Sequence, residues 1–261
     1  MRTGISRCIG FALLAAITSV KSTSAEQFAP TWESLDQRAT PEWYRDAKLG
    51  IFIHWGLYSV PAWSPRGTYA EWYWHSRDGL HGKHLAAVDR GNKVRAFHNR
   101  VYGEDVSYPD FREQFTAELF DPEHWAGVIK KSGARYAVLT AKHHDGYALW
   151  PSKEASESFG MPWNAVDSGP HRDLVGELAE SIRAEGIKMG LYYSIWDWFN
   201  PYWPEDRQMA KDYGPGLKKY VHDVMYPQFK QIVIDYQPSL IFADGDWWMD
   251  DDKWETRPLL A

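Results

Sequence analysis

The sequence predicts an α/β fold in which helices and strands alternate along one large domain. Three times, a segment with helical periodicity is followed by a short apolar run that is typical of a buried strand. Such alternation indicates a parallel sheet whose strands are joined by helical crossovers. With 261 residues, 44% of them hydrophobic and 16% aromatic, the chain can bury one sizeable core.

The first 25 residues differ from the rest of the chain and predict a signal peptide. Two arginines precede an apolar run at 9–17, and small residues at 23–25 suit a cleavage site. That run is shorter than the roughly 18 to 20 residues of a membrane span, and no later segment qualifies, so we expect no membrane span. Residues 26–261 are then the mature chain of a secreted or periplasmic protein.

The composition of the mature chain excludes several classes of partner. The leader carries three basic residues and no acidic one, so its removal changes the formal net charge from −6 to −9. An acidic protein is a poor ligand for nucleic acid and for anionic membranes. The single cysteine, Cys8, lies in the leader, and a secreted chain without disulfides favours a bacterial periplasm or exterior.

The first strand is predicted over Gly50–His54, after a short helix at 41–48 that has proline in its first turn. Residues 58–115 then form a long excursion with little clear periodicity, and such loops inside compact domains are usually functional. Part of the unusual content of fifteen Trp and fifteen Tyr lies here, at 71–74, and part at 196–199. Aromatic faces stack on sugar rings, although many of these side chains must simply fill the core.

Three further helix and strand pairs follow. Asp121 and Asp173 are predicted N-caps of the first two helices, and the third covers 217–236 with a kink at Pro227. The strands after them are predicted at 136–140, 188–193 and 239–243. A doubly wound sheet and a (β/α)8 barrel both fit this order, but no glycine-rich phosphate loop follows the first strand, which argues against a nucleotide-binding sheet. Four strands do not close a barrel, and 256–261 is predicted to begin a further helix.

Polar side chains follow all four predicted strands. In parallel α/β folds the carboxyl ends of the strands share one rim, where functional groups gather. Asp244 lies between an apolar strand and Gly245, so its carboxylate is predicted to be exposed at this rim as a nucleophile. The alternative is an aspartate that caps the next turn. A retaining glycosidase needs such a nucleophile and a second carboxyl group about 5 Å away.

His143 and His144 are adjacent at the end of the second strand. They invite a metal-site hypothesis, but neighbouring side chains on a strand point to opposite faces, whereas ligand pairs usually lie two residues apart. We expect instead that they donate hydrogen bonds to neighbouring sugar hydroxyls. A structural role for one of the two remains an alternative.

Five separate motifs resemble one enzyme family. They are Gly50–Gly56, Tyr69–Tyr73, Thr140–Gly146, Arg172–Val175 and Gly190–Ser194. In this order, from about Trp32 to the last residue, the chain is similar to α-L-fucosidases of glycoside hydrolase family 29.

The resemblance implies a (β/α)8-like, TIM-type barrel that is truncated here after about four β/α units. It implies retaining hydrolysis of terminal α-L-fucosides of an oligosaccharide or glycoconjugate, without a cofactor, and Asp244 as the nucleophile. It also implies the following fucose-binding residues: His54, Glu71, Trp72, His143, His144 and Tyr192. Phe242 stands where the family often has Trp, which keeps an aromatic wall and loses an indole N–H donor.

By the same resemblance, the general acid/base of the family, a Glu, and an Arg that contacts the sugar lie beyond the point that matches Ala261. We therefore expect no robust activity from the 261-residue chain alone. Two other functions remain open. One is a sugar-binding protein that keeps the pocket but not the acid. The other is a metal-dependent barrel hydrolase that uses His54, His143, His144 and Asp244.

Overall fold

The computed structural model describes residues 28–79, 85–202 and 214–261, and the predicted signal peptide at 1–25 lies outside these ranges. The strands are β1 (Gly50–Ile53), β2 (Tyr136–Lys142), β3 (Lys188–Ser194) and β4 (Leu240–Asp244). The α-helices are α1 (Trp32–Leu35), α2 (Glu42–Ala47), α3 (Tyr73–Asp78), α4 (Leu85–Val101), α5 (Pro122–Lys131), α6 (Lys153–Phe159), α7 (Leu174–Ala184), α8 (Pro215–Tyr220), α9 (Tyr226–Tyr236), α10 (Asp251–Trp254) and α11 (Thr256–Leu260).

The four strands form one parallel sheet in the order β1-β2-β3-β4, which confirms the predicted α/β class. Strands β2 and β3 are almost entirely buried, whereas β1 and β4 are the less buried edges. Three strands end later than predicted. Strand β2 continues to Lys142, β3 to Ser194 and β4 to Asp244, so the candidate nucleophile is the last residue of its strand.

The crossover helices begin where their caps predict. The Asp121 carboxylate accepts the backbone N–H of His124 at 2.9 Å, and the Asp173 carboxylate accepts that of Gly176 at 2.9 Å. Both bonds satisfy an N–H that has no partner within its helix. The apolar face of α7, which includes Leu178, is fully buried, and α7 packs on β2 and β3.

The excursion at 58–115 is more regular than its sequence indicates, because it contains α3 and the 17-residue α4. The prediction that this segment is a long loop was wrong here. Helix α4 has a weak apolar stripe, in which Val94 is buried and Phe97 stacks on Trp63 at 4.1 Å, and polar contacts add to this packing. The buried ring of His98 on α4 lies 2.9 Å from the Tyr73 hydroxyl on α3 and 2.7 Å from the Val106 carbonyl.

The predicted helix at 217–236 is observed as α8 and α9, joined by a π-helical turn at Val221–Met225. The irregularity precedes Pro227 rather than lying at it. Proline has no N–H, and its ring clashes with the carbonyl four residues earlier, so the turn before it must widen.

The sheet is strongly curved. Phe52 on β1 and Phe242 on β4 have ring centroids 5.4 Å apart, although two strands separate them. In a flat sheet these positions would be about 14 Å apart, which is three spacings of about 4.8 Å. Both rings therefore point into a concave face. Within the ranges that the structure describes, no helix is long and apolar enough to cross a membrane.

Candidate active site

Asp244 lies at the carboxyl end of β4 with its side chain 17% exposed. The hydroxyl of Tyr192, which lies on β3 two residues before the register partner of Asp244, donates a hydrogen bond to the carboxylate oxygen Oδ2. The following residue, Gly245, has a φ of 90°, and a Cβ there would lie 3.0 Å from the Cβ of Trp196. A glycine is thus required for the chain to turn away immediately after Asp244.

His143 and His144 follow the last residue of β2, and their ring centroids are 4.6 Å apart. The alternation of a regular strand does not apply there, because both residues lie beyond the last residue of β2. The two imidazoles consequently lie next to each other instead of on opposite faces. The expectation that they point apart was wrong.

The two imidazoles have different surroundings. His143 stacks on Tyr192 with centroids 5.6 Å apart, and its Nδ1 is buried without a hydrogen-bond partner among the described residues. His144 places Nε2 3.5 Å from Oδ2 of Asp244. Burial lowers the pKa of His143 well below its usual value and lowers that of His144 to about 4. Both rings are therefore neutral at neutral pH, and the approach of His144 to Asp244 is not an ion pair there.

The structure brings most of the other predicted residues to the same place. His54 is exposed, with its ring 5.8 Å from His143 and 5.9 Å from Tyr192. Phe242 is half exposed and stacks on Tyr192 at 6.1 Å. Together with Asp244 these side chains line one side of the concave face.

The excursion at 58–115 contributes further residues to the site. Trp72 contacts the ring of His144 edge-on, with centroids 6.1 Å apart. Burial is the main cause of the raised pKa of Tyr58. The negative charge of nearby Glu71 raises this pKa further. The Tyr58 ring is in turn 5.3 Å from His143. Glu71 therefore lies in the neighbourhood of Tyr58.

An aromatic loop that follows β3 completes the surroundings of His144. The backbone N–H of Trp198 donates to the His144 carbonyl at 2.7 Å, and the two rings are 4.9 Å apart. Trp198 also packs on Trp72 at 5.0 Å. The tryptophan-rich run at 196–199 was visible in the sequence, but nothing local indicated that it packs on the histidines.

A buried ionic network lies beneath the site, and the sequence did not predict it. Lys142 and Asp197 are both buried and form an ion pair with Nζ 2.7 Å from Oδ1. Lys142 also donates to Gln228 at 3.0 Å and to the Tyr193 hydroxyl at 3.2 Å. The neighbouring Asp145 is buried as well, and it accepts the Tyr108 hydroxyl at 2.6 Å. Burial raises the pKa of Asp145 to about 6.

In the part of the chain that the structure describes, no group of three or more His, Cys, Asp or Glu side chains is arranged to hold a metal ion. The metal-dependent alternative thus has no ligand set among these residues. The arrangement offers instead a carboxylate with a fixed hydroxyl donor, two neutral imidazoles and exposed aromatic faces. These groups suit polar recognition of a sugar beside a nucleophile.

A family model for α-L-fucosidase matches residues 15–261. The chain belongs to the α-L-fucosidase family. This confirms the resemblance that the five sequence motifs indicated.

The curated relatives of this fucosidase-family chain include an α-L-fucosidase of Dictyostelium discoideum, 41% identical over 96% of this chain and 50% of that protein. The human tissue α-L-fucosidase is 39% identical over 95% of this chain and 48% of that protein. The chain thus spans about half the length of the curated relatives it matches.

Solved structures of the family have the same fold over this region. The Thermotoga maritima α-fucosidase in complex with fucose superposes with a TM-score of 0.73 and 36% identity, covering 90% of this chain and 53% of that one. A family 29 α-L-fucosidase from Bacteroides thetaiotaomicron gives a TM-score of 0.61 with 26% identity over 85% of this chain and 45% of its own.

Proposed function

We propose that the full-length protein is a retaining α-L-fucosidase that hydrolyses terminal α-L-fucosides of oligosaccharides or glycoconjugates, with Asp244 as nucleophile. The observation that carries this proposal is the position of Asp244. Its carboxylate ends β4 and accepts the Tyr192 hydroxyl, and His144 lies 3.5 Å away. A carboxylate held at a rim that also carries sugar-binding side chains is what the first step of a retaining glycosidase requires.

In the first step, a carboxylate oxygen of Asp244 attacks the anomeric carbon, and the bond from that carbon to the leaving oxygen breaks. The leaving oxygen takes a proton from a carboxylic acid, so a covalent fucosyl-enzyme and a free alcohol result. In the second step, the same acid, now a carboxylate, removes a proton from water, which displaces Asp244. We propose that this acid/base lies beyond the position of Ala261, and that Glu71 binds substrate.

The remaining site residues are proposed to bind fucose. Neutral imidazoles form directional hydrogen bonds with hydroxyls, and the buried Nδ1 of His143 has a hydrogen bond to give or accept. The exposed face of Phe242 suits an apolar sugar face. The full proposed set is His54, Glu71, Trp72, His143, His144, Tyr192 and Phe242.

We also infer that the four strands form part of a (β/α)8-like barrel. Two features support this architecture over a doubly wound sheet. The strand order follows the chain without the reversal that doubly wound sheets have. The convergence of Phe52 and Phe242 on the concave face matches the curvature of a barrel wall. The leader at 1–25 is proposed to direct a bacterial protein to the periplasm or exterior.

The test is turnover of an aryl α-L-fucoside by the full-length protein and by two variants. Asp244→Ala is expected to abolish turnover, because no covalent intermediate forms. Asp246→Ala is the matched control, since Asp246 is an exposed aspartate two residues away, and it is expected to retain activity. Near-normal turnover by Asp244→Ala would refute the assignment. Tight binding of fucose without turnover by the unmodified protein would select the sugar-binding alternative.

A further inference from the structure

Two hydrogen-bond acceptors converge on Nδ1 of His144. The Ser194 hydroxyl oxygen lies 2.6 Å from this nitrogen, and the backbone carbonyl oxygen of Trp196 lies 3.3 Å from it. A carbonyl can only accept. The Ser194 hydroxyl donates its own hydrogen to the same Trp196 carbonyl at 2.6 Å. The hydrogen between Ser194 and His144 must therefore come from the ring, so Nδ1 carries it.

The other ring nitrogen is then without a hydrogen at neutral pH. A neutral imidazole holds one proton, and burial lowers the pKa of His144 to about 4. Nε2 is consequently a hydrogen-bond acceptor. It faces Oδ2 of Asp244 at 3.5 Å, and Oδ2 is itself an acceptor that already receives the Tyr192 hydroxyl. Two acceptors that face each other at this distance leave room for a shared donor.

We propose that Ser194 is a positioning residue which, with the Trp196 carbonyl, holds His144 as the Nδ1–H tautomer so that Nε2 accepts a hydrogen bond from a substrate hydroxyl. This proposal rests on the proposed function for the identity of the substrate. The hydroxyl concerned lies beside the carbon that Asp244 attacks, because Nε2 and the attacking carboxylate face each other. His144 thus accepts where the sequence led us to expect a donor.

The location of Ser194 makes this role specific. Ser194 is the last residue of β3 and is completely buried, so bulk water cannot replace its hydroxyl. Its register partner on β4 is Asp244 itself. Ser194 therefore orients the His144 imidazole from the end of β3, and it pairs there with the end of β4 that carries the nucleophile. In the opposite tautomer, a bare Nδ1 would face the carbonyl, and Nε2–H would bond Asp244 directly.

The first experiment measures the tautomer without any substrate. The full-length protein is labelled with ¹⁵N-histidine, and the ring signals of His144 are identified by their loss in His144→Gln. At pH 7 we expect a protonated Nδ1 and a bare Nε2. A protonated Nε2 with a bare Nδ1 would overturn the proposal, whether or not the protein is a fucosidase.

The second experiment compares variants by the same spectra and by kcat/KM on an aryl α-L-fucoside. Ser194→Ala is expected to mix the two tautomers and to lower kcat/KM about tenfold, as for the loss of one orienting hydrogen bond. Ser194→Thr keeps the hydroxyl and is expected to restore the Nδ1–H signal and most of the activity. Ser168→Ala is the matched control, because Ser168 is also a buried serine but bonds the Asn164 carbonyl instead.

An unchanged tautomer together with unchanged kcat/KM in Ser194→Ala would also overturn the proposal. If Ser194→Ala does not fold, the spectra of the unmodified protein and of Ser194→Thr still decide the tautomer. If the unmodified protein shows no turnover, the proposed function fails, while the spectra continue to test the role of Ser194.

Discussion

Replacing Lys142 by methionine tests the buried ion pair beneath the site. Methionine has a similar length and no charge, so the change leaves the buried carboxylate of Asp197 without its cation. Lys142 Nζ contacts Asp197, Gln228 and Tyr193 within 3.2 Å, and all of these contacts are lost. Breaking a buried pair from one side usually costs about 3 to 5 kcal/mol of unfolding free energy. We expect a loss in that range for Lys142→Met.

The loss should depend on pH in a definite direction. Burial raises the pKa of Asp197 even with Lys142 beside it, and removal of the cation raises that pKa further. A raised carboxyl pKa in the folded state contributes stability that is present at low pH and is lost as the pH rises through the folded pKa. The deficit of Lys142→Met relative to the unmodified protein should therefore be larger at pH 8 than at pH 5.

Urea unfolding followed by tryptophan fluorescence at these two pH values measures the deficit. The double variant Lys142→Met with Asp197→Asn should be less destabilised than the sum of the two single variants, because neither charge is left alone. Lys153→Met is the matched control, since its 3.3 Å contact with Glu157 is exposed, and it should change little. A deficit below about 1 kcal/mol that is independent of pH, or strict additivity in the double variant, would refute the reasoning.

Two further predictions concern buried and capping carboxylates. Burial raises the pKa of Asp145 from 3.8 to about 6. The resulting contribution to the free energy of unfolding is present below about pH 4 and is lost as the pH rises through about 6. The unfolding free energy of Asp145→Asn, relative to that of the unmodified protein, should therefore rise by up to about 3 kcal/mol between pH 4 and pH 8. A relative value that does not change with pH would contradict this. Asp121→Ala should cost about 1 kcal/mol for the loss of a helix cap. Asp173→Ala should cost about 1 kcal/mol more than Asp121→Ala, because the Asp173 carboxylate also accepts the Tyr236 hydroxyl at 2.8 Å. Equal losses of the two variants in urea unfolding would exclude this extra contribution.

The local features of the fold could be predicted because their causes lie within a few residues. Asp121 and Asp173 cap their helices through an N–H three residues later, and each predicted strand is observed with nearly the predicted ends. Asp244 was placed at a rim because an apolar strand precedes it and a glycine follows. Helix α4 escaped prediction because its apolar stripe is weak, and its contact with α3 through His98 and Tyr73 depends on the tertiary fold.

The relations across the site could not be predicted, because they join residues that are far apart in the chain. Lys142 finds Asp197 only when β2 and the loop after β3 meet, and Ser194 reaches His144 across neighbouring strands. No local rule measures the free energy of burying an ion pair or the direction of an imidazole hydrogen bond.

By itself, the sequence determined the α/β class, the family, the capped helices and the types of side chain at the strand ends. These follow from hydrophobic periodicity, capping chemistry and motifs, which act over one turn or one strand. Only the tertiary structure decided the curvature that brings Phe52 to Phe242 and the meeting of the two imidazoles beside Asp244. It also decided which nitrogen of His144 bears the hydrogen. Those outcomes depend on the acceptors that packing places around a side chain, and packing is a property of the whole fold.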